Sequence, residues 1–148
     1  MPHSIEIPPR QRPGGDGGYL EEMTKAIFQA GFSWDVIRNK WPNFQKAFDQ
    51  FDVATVAAYD VPDVERLLSD AGIVRNGRKI NGTIENAGTI LALSQQHGSF
   101  FDYLRTLDDL SYDQRRKQLT KQFKGLGRTS CFVFLWCVDE PVPDWENR

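Results

Sequence analysis

The stretch Leu119-Thr-Lys-Gln-Phe123-Lys-Gly125-Leu-Gly127-Arg128-Thr-Ser-Cys131 constrains this chain more than any other segment. An apolar helix end runs into Gly-x-Gly, and a second apolar helical segment, Phe132 to Trp136, follows at once. Leu119, Phe123, Leu126 and Cys131 supply an apolar frame on both sides of the turn. The pattern is that of a hairpin of two helices spanning roughly residues 119–137.

The rest of the chain is written in the same helical code. Tyr19, Leu20, Met23, Ala26, Ile27 and Ala30 recur at three- and four-residue spacing, and Gly31 closes that run. Ser33 reads as the cap of a short helix carrying Val36, Ile37 and Trp41, and Pro42 as the start of another with Phe44, Ala47, Phe48 and Phe51 inward. Pro62 opens a helix with Val64, Leu67, Leu68 and Ala71 on its inner face, ended by Gly72. A loop through Lys79 leads into a long helix carrying Ile80, Ile84, Ala87 and Leu91, which Gly98 stops. Phe100, Phe101 and Leu104 make a short helix, and Ser111 with Asp113 starts the one entering the hairpin. No alternation lasts long enough for a strand. The expected fold is all-α, with about eight helices in one domain over residues 19–148.

Residues 1–18 hold four prolines and four glycines with almost no apolar periodicity, so they read as a flexible arm. No apolar run approaches the ~20 residues of a membrane span. Cys131 and Cys137 do not form a Cys-x-x-Cys, and His3 and His97 are the only histidines, so neither a disulfide framework nor a metal site is signalled. The expectation is a reduced, cytoplasmic, monomeric protein without metal or cofactor.

A net charge of -2 argues mildly against nucleic acid, but the distribution matters more than the sum. From Arg115 to Arg128 there are six cations and no acid, and Arg75, Arg78 and Lys79 form a second cluster. Solvated helix faces would explain either cluster alone. The glycines add a reason for binding. Gly125 and Gly127 permit unusual backbone angles and let the turn lie close against a phosphate. The helix starting near Arg128 would then offer its unpaired N–H groups and positive dipole end. Lys121, Lys124, Arg128 and Thr129 surround that point as DNA-binding candidates, with counterion release adding to affinity. An ordinary turn between two core helices is the competing account.

Leu119 to Cys131 resembles the helix–hairpin–helix of the DNA glycosylase superfamily. From about Tyr19 to Val138 the chain is more closely similar to the 3-methyladenine DNA glycosylase I family. The match runs through Gln29-Ala30-Gly31-Phe32-Ser33-Trp34, Phe48-Asp-Gln-Phe51-Asp52, Val64-Glu-Arg-Leu67, Asp70-Ala-Gly72-Ile73-Val74-Arg75, Lys79-Ile80 and Asn86-Ala87.

The resemblance implies a helical fold in which a flipped, damaged base stacks on aromatic rings. It places Trp34 in the base pocket and lets Gln29 enter the gap that the base leaves. It also implies a pocket glutamate at position 26, where this chain has Ala26. The tyrosine, second tryptophan and zinc ligands of its N-terminal block find no counterpart in the proline- and glycine-rich arm. Its C-terminal His and Cys ligands have no place before Arg148, so zinc is not expected. In the wider superfamily an aspartate lies just past the second hairpin helix. Asp144, in Pro141-Val-Pro-Asp144, resembles it and is the catalytic candidate, with Asp139 and Glu140 as weaker ones. It would stabilise an oxocarbenium-like sugar or help a water attack it. Thr129 stands where bifunctional glycosylases carry a Schiff-base lysine, which implies base release without strand cleavage.

The expected function is excision of a damaged, alkylated purine from double-stranded DNA by a monofunctional glycosylase of base-excision repair. A catalytically silent DNA-binding module is the alternative, and a protein-interaction remnant of the fold is a third.

Overall fold

The computed structural model describes residues 8–148. The first seven residues of the expected arm lie outside that range. Among the described residues there are eight α-helices and no strand. They are α1 (Asp16–Gln29), α2 (Trp34–Ala47), α3 (Val53–Ala57), α4 (Val61–Leu68), α5 (Gly77–His97), α6 (Phe100–Arg105), α7 (Tyr112–Gln122) and α8 (Arg128–Cys137). Helices α1 and α5 form the centre. The first packs on α2, α5, α6 and α8, and the second on α1, α3, α4 and α6. All-α architecture is what the periodicity predicts.

Side-chain caps set most of the starts. Ser33, Asp52, Asn76, Ser99 and Ser111 each accept a hydrogen bond from the backbone N–H three residues on, satisfying one of the orphan donors of a first turn. Asn76 therefore starts α5 at Gly77, inside the segment read as a loop through Lys79.

Three local readings need correction. The break expected at Pro42 does not occur: α2 runs through it. Proline there removes one intrahelical bond, while Ile37, Trp41 and Phe44 bury the same apolar face on either side. That face ends in the stacked rings of Trp41 and Phe51 (5.4 Å) and of Phe48 and Phe51 (5.5 Å). Phe51 reaches the stack through a left-handed turn, with φ near +55° from Asp49 to Phe51, not through a continuing helix. Helix α4 ends at Leu68, short of Gly72, and buries Leu67 while Leu68 and Ala71 face solvent.

The described part of the arm is strapped to the far end of α8. The Trp136 indole N–H donates to the Pro8 carbonyl (3.0 Å), and the Gln11 N–H to the Cys137 carbonyl (3.0 Å). The Arg10 guanidinium lies over the Trp136 ring and donates to the carbonyls of Trp136 and Glu140. Helix α1 begins at Asp16, inside the span assigned to the arm.

Candidate functional site

The hairpin forms where the sequence places it. Leu119, Phe123, Leu126 and Cys131 are all buried, so the turn is anchored from both sides. Its two glycines do different work. Gly125 has φ +79°, and a Cβ there would meet the Ile27 side chain at 3.1 Å. Gly127 has φ -102°, and a Cβ there would make only an ordinary contact with the Ser130 hydroxyl at 3.9 Å. It is the N-cap of α8 and has no side chain to accept from the first turn. The Ser130 hydroxyl accepts from the Gly127 N–H at 2.8 Å. The first-turn N–H groups of α8 therefore have no side-chain cap, which is the arrangement that binds anions.

Lys121, Lys124, Arg128 and Thr129 are exposed around this point. Among the described residues neither Lys121, Lys124 nor Arg128 takes part in an ion pair, whereas Arg10, Arg66, Arg105 and Arg116 pair with carboxylates. Beside the turn, Asn76, Arg78, Lys79, Asn81 and Glu85 line a groove of about 720 Å³ shared with Lys124 and Gly125. Lys79 has a structural task. Its ammonium donates to the carbonyls of Ala30 (2.8 Å) and Phe28 (3.4 Å), closing the C-terminal end of α1.

Two cavities lie between α1, α2 and α8. An outer one of about 590 Å³ is lined by Gln29, Phe32, Trp34, Thr129, Val133 and Trp145, among others. Trp34 and Gln29, which the family resemblance assigns to the base pocket, therefore share a cavity with the hairpin residue Thr129. An inner one of about 200 Å³ is lined by Pro8, Pro9, Glu22, Lys25, Trp34, Arg38, Trp41 and Cys137. Trp34 belongs to both walls, which makes it the partition between them.

In the inner cavity Glu22 and Lys25 form an ion pair at 3.4 Å, with about a quarter of each side chain exposed. Burial pushes the Glu22 carboxyl above its ordinary range, while Lys25 pulls it back. Ala26 is buried on α1, one turn nearer the outer cavity than Glu22.

Asp144 lines neither cavity. It is exposed and caps a short 3-10 turn, Trp145–Asn147, from which Trp145 enters the outer lining. Arg148 stacks over the Trp145 ring at 4.0 Å and donates to the Thr129 hydroxyl at 3.2 Å. The weaker candidates have structural partners: Glu140 is buried against Arg105, and Asp139 faces Arg10 at 3.7 Å.

Sequence reasoning did not find Glu22, Lys25, Trp41, Phe32, Trp145 or Arg148. The Glu22 signal was available, since Glu22 stands four residues before Ala26 and so on the same helix face. The others depend on how distant segments meet.

The donor set does not fit a zinc site. No group of three or more His, Cys, Asp or Glu is placed to hold a metal among the described residues. Burial pushes the Cys131 and Cys137 thiols up to about 12, so neither is a ready thiolate.

Comparison with known proteins places the chain in a family. Residues 13–131 match the family model described as methyladenine glycosylase. The chain is 36% identical over 126 residues to DNA-3-methyladenine glycosylase 1 of Escherichia coli (strain K12), covering 72% of this chain and 67% of that one. A crystal structure of 3-methyladenine DNA glycosylase I superposes with a TM-score of 0.75 at 31% identity, covering 86% of this chain and 81% of the other. A single-residue variant of 3-methyladenine DNA glycosylase I in complex with 3-methyladenine gives 0.76 at 26% identity, covering 86% and 79%. On the match over 119 of its 148 residues, this chain belongs to the methyladenine glycosylase family.

Proposed function

We propose that this chain acts in base-excision repair by hydrolysing the N-glycosidic bond of a damaged, alkylated purine in duplex DNA. Family membership supports glycosylase chemistry. The observation that carries the reading to this site is the position of Trp34, which shares one cavity with hairpin residue Thr129 and also lines a second.

In this reading the uncapped first turn of α8 grips a phosphate of the lesion strand, with Lys121, Lys124 and Arg128 adding Coulomb attraction. Gly127 brings the backbone close. The damaged nucleotide turns out of the stack, and its base enters the outer cavity against Trp34, while Gln29 at the rim fills the vacated space. Asp144 lies outside the cavity in the free protein, so its role as the charge facing the developing oxocarbenium requires the bound sugar to sit over the Trp145 turn. Thr129 offers no amine, so the product is an abasic site with an intact strand.

The test is to incubate the protein with methylated duplex DNA and measure released bases by chromatography. Release of alkylpurine without strand cleavage is the expected result. No release, under conditions where an established glycosylase works, overturns the reading in favour of a silent DNA-binding module. The exposed position of Asp144 and the alanine at position 26 are what favour that second reading. Asp144→Asn decides the acid: full activity in that variant removes Asp144 from the mechanism.

A further inference from the structure

Three segments that lie far apart in sequence meet along one side of α5. The end of α1, the first turns of α5 and the hairpin turn share a groove through Ile27, Ala30, Lys79, Gly82, Lys124 and Gly125. Within it, Lys79 reaches back to α1. That helix carries no basic residue in its last turn. Its terminal carbonyls, of Phe28 and Ala30, are met instead by the Lys79 ammonium from α5. A cation at that end also faces the negative pole of the helix. The same ammonium lies 5.6 Å from the centre of the exposed Phe32 ring, within cation–π range. The loop from Ala30 to Ser33 is otherwise exposed, and it bends through Gly31 at φ +86°, where a Cβ would meet nothing.

Two turns further along α5, Asn86 holds the backbone of Lys124 in the hairpin turn. Lys79, Thr83 and Asn86 stand at i, i+4 and i+7, which is one stripe of a helix. The Thr83 hydroxyl donates to the Lys79 carbonyl at 2.9 Å. At 1.5 Å per residue the stripe spans about 10 Å. One end ties the loop and the other ties the turn, with a continuous helix between them. The loop and its flanks supply Gln29, Phe32 and Trp34 to the outer cavity, which Thr129 of α8 also lines. We propose that Lys79 is a positioning residue: its ammonium holds Ala30 to Ser33 in register with the hairpin turn, so that Gln29, Phe32 and Trp34 keep their places around the outer cavity while DNA is gripped at Gly127. The use of that cavity rests on the glycosylase reading above. Lys79 acts through the loop and touches no substrate.

The experiment compares Lys79→Met and Lys79→Arg with the wild type in the intact chain, with thermal melts to confirm folding. Amide hydrogen exchange is followed in the segment 29–34 and in the hairpin 119–131. In Lys79→Met the loop is expected to exchange at least about tenfold faster, as loss of a hydrogen bond to a charged group implies, with the hairpin unchanged. The single-turnover rate of base release from methylated duplex should fall by about tenfold, because misplacing the site slows the chemical step. Duplex affinity and its salt slope should stay at their wild-type values. Lys79→Arg, which keeps the charge and the donors, should restore loop protection and rate. Unchanged loop exchange in a folded Lys79→Met protein overturns the proposal, as does release at the wild-type rate. A salt slope flatter by about one unit also overturns it, because Lys79 is then a phosphate contact. If Lys79→Met fails to fold, Lys79→Gln, one atom shorter and uncharged, carries the same test. If the wild type releases no base, the glycosylase reading falls alone, and loop exchange still decides whether Lys79 holds the loop.

Discussion

The side-chain amide of Asn86 holds both backbone groups of Lys124: its Nδ2 donates to the carbonyl at 3.0 Å, and its Oδ1 accepts from the N–H at 2.7 Å. Asn86 is buried in the middle of α5, so the central helix fixes the hairpin turn through one amide. Asn86→Ala removes two part-buried hydrogen bonds worth about 1 kcal/mol each and leaves the backbone N–H and carbonyl of Lys124 without their partner. The expected loss is about 2 kcal/mol in denaturant unfolding, with DNA affinity falling alongside. A variant as stable as wild type would show that the turn holds itself.

The two hairpin glycines can be separated. Gly125→Ala forces a Cβ into a left-handed residue and against Ile27, so it should cost about 1–2 kcal/mol of stability. Gly127→Ala meets only the Ser130 hydroxyl at 3.9 Å, so the melting temperature should hold. Duplex affinity should nevertheless drop, because the methyl stands where the phosphate approaches. Undiminished DNA binding by a folded Gly127→Ala protein would place the phosphate elsewhere.

Salt dependence reports the number of phosphate contacts. Each cation that neutralises a phosphate adds about 0.9 to the slope of log affinity against log salt. Lys124→Gln and Arg128→Gln should each flatten the slope by roughly one unit. Arg78→Gln, in the adjoining groove, tests whether the backbone continues past Gly125. An unchanged slope there would confine the DNA to the hairpin.

Alkali should destabilise the fold through its cysteines. Burial raises the thiols of Cys131 and Cys137 from 9.0 to about 12. A group whose folded pKa is raised binds its proton more tightly when folded. The stabilisation is complete below pH 9 and is lost as pH rises towards 12. Denaturant midpoints should therefore fall through that window, and alanine at both positions should flatten the fall. Both thiols should resist alkylation at pH 8 until the protein unfolds.

Much of this was legible because helices write their burial at short range. The spacing of Tyr19, Met23, Ala26 and Ile27 predicts α1, and all four are buried. The hairpin frame was legible for the same reason, since turn and flanks are contiguous. Pro42 misled because local propensity speaks only for the residue, whereas the ring stack of Trp41, Phe44 and Phe51 decides whether the helix continues. Trp34 and Gln29 could be placed by resemblance. The smaller cavity could not, because Glu22, Trp41 and Cys137 meet there only through the packing of α1, α2 and α8. Nor does sequence spacing give direction: Asp144 follows the second hairpin helix as expected, yet it is Trp145 that turns inward.

The strap of Pro8 to Gln11 over the end of α8 has a kinetic consequence. Trp136 and Pro8 are joined by a hydrogen bond across 128 residues of sequence, whereas α7 and α8 are joined by a turn of only a few residues. Long loops lose more entropy on closing and are not rewarded until the surfaces they join exist. The strap therefore has its docking surface only once α8 has formed, and Pro8 and Pro9 complete the wall of the smaller cavity on docking. A chamber walled in this way stays closed only while Pro8 to Gln11 remain bound to the end of α8.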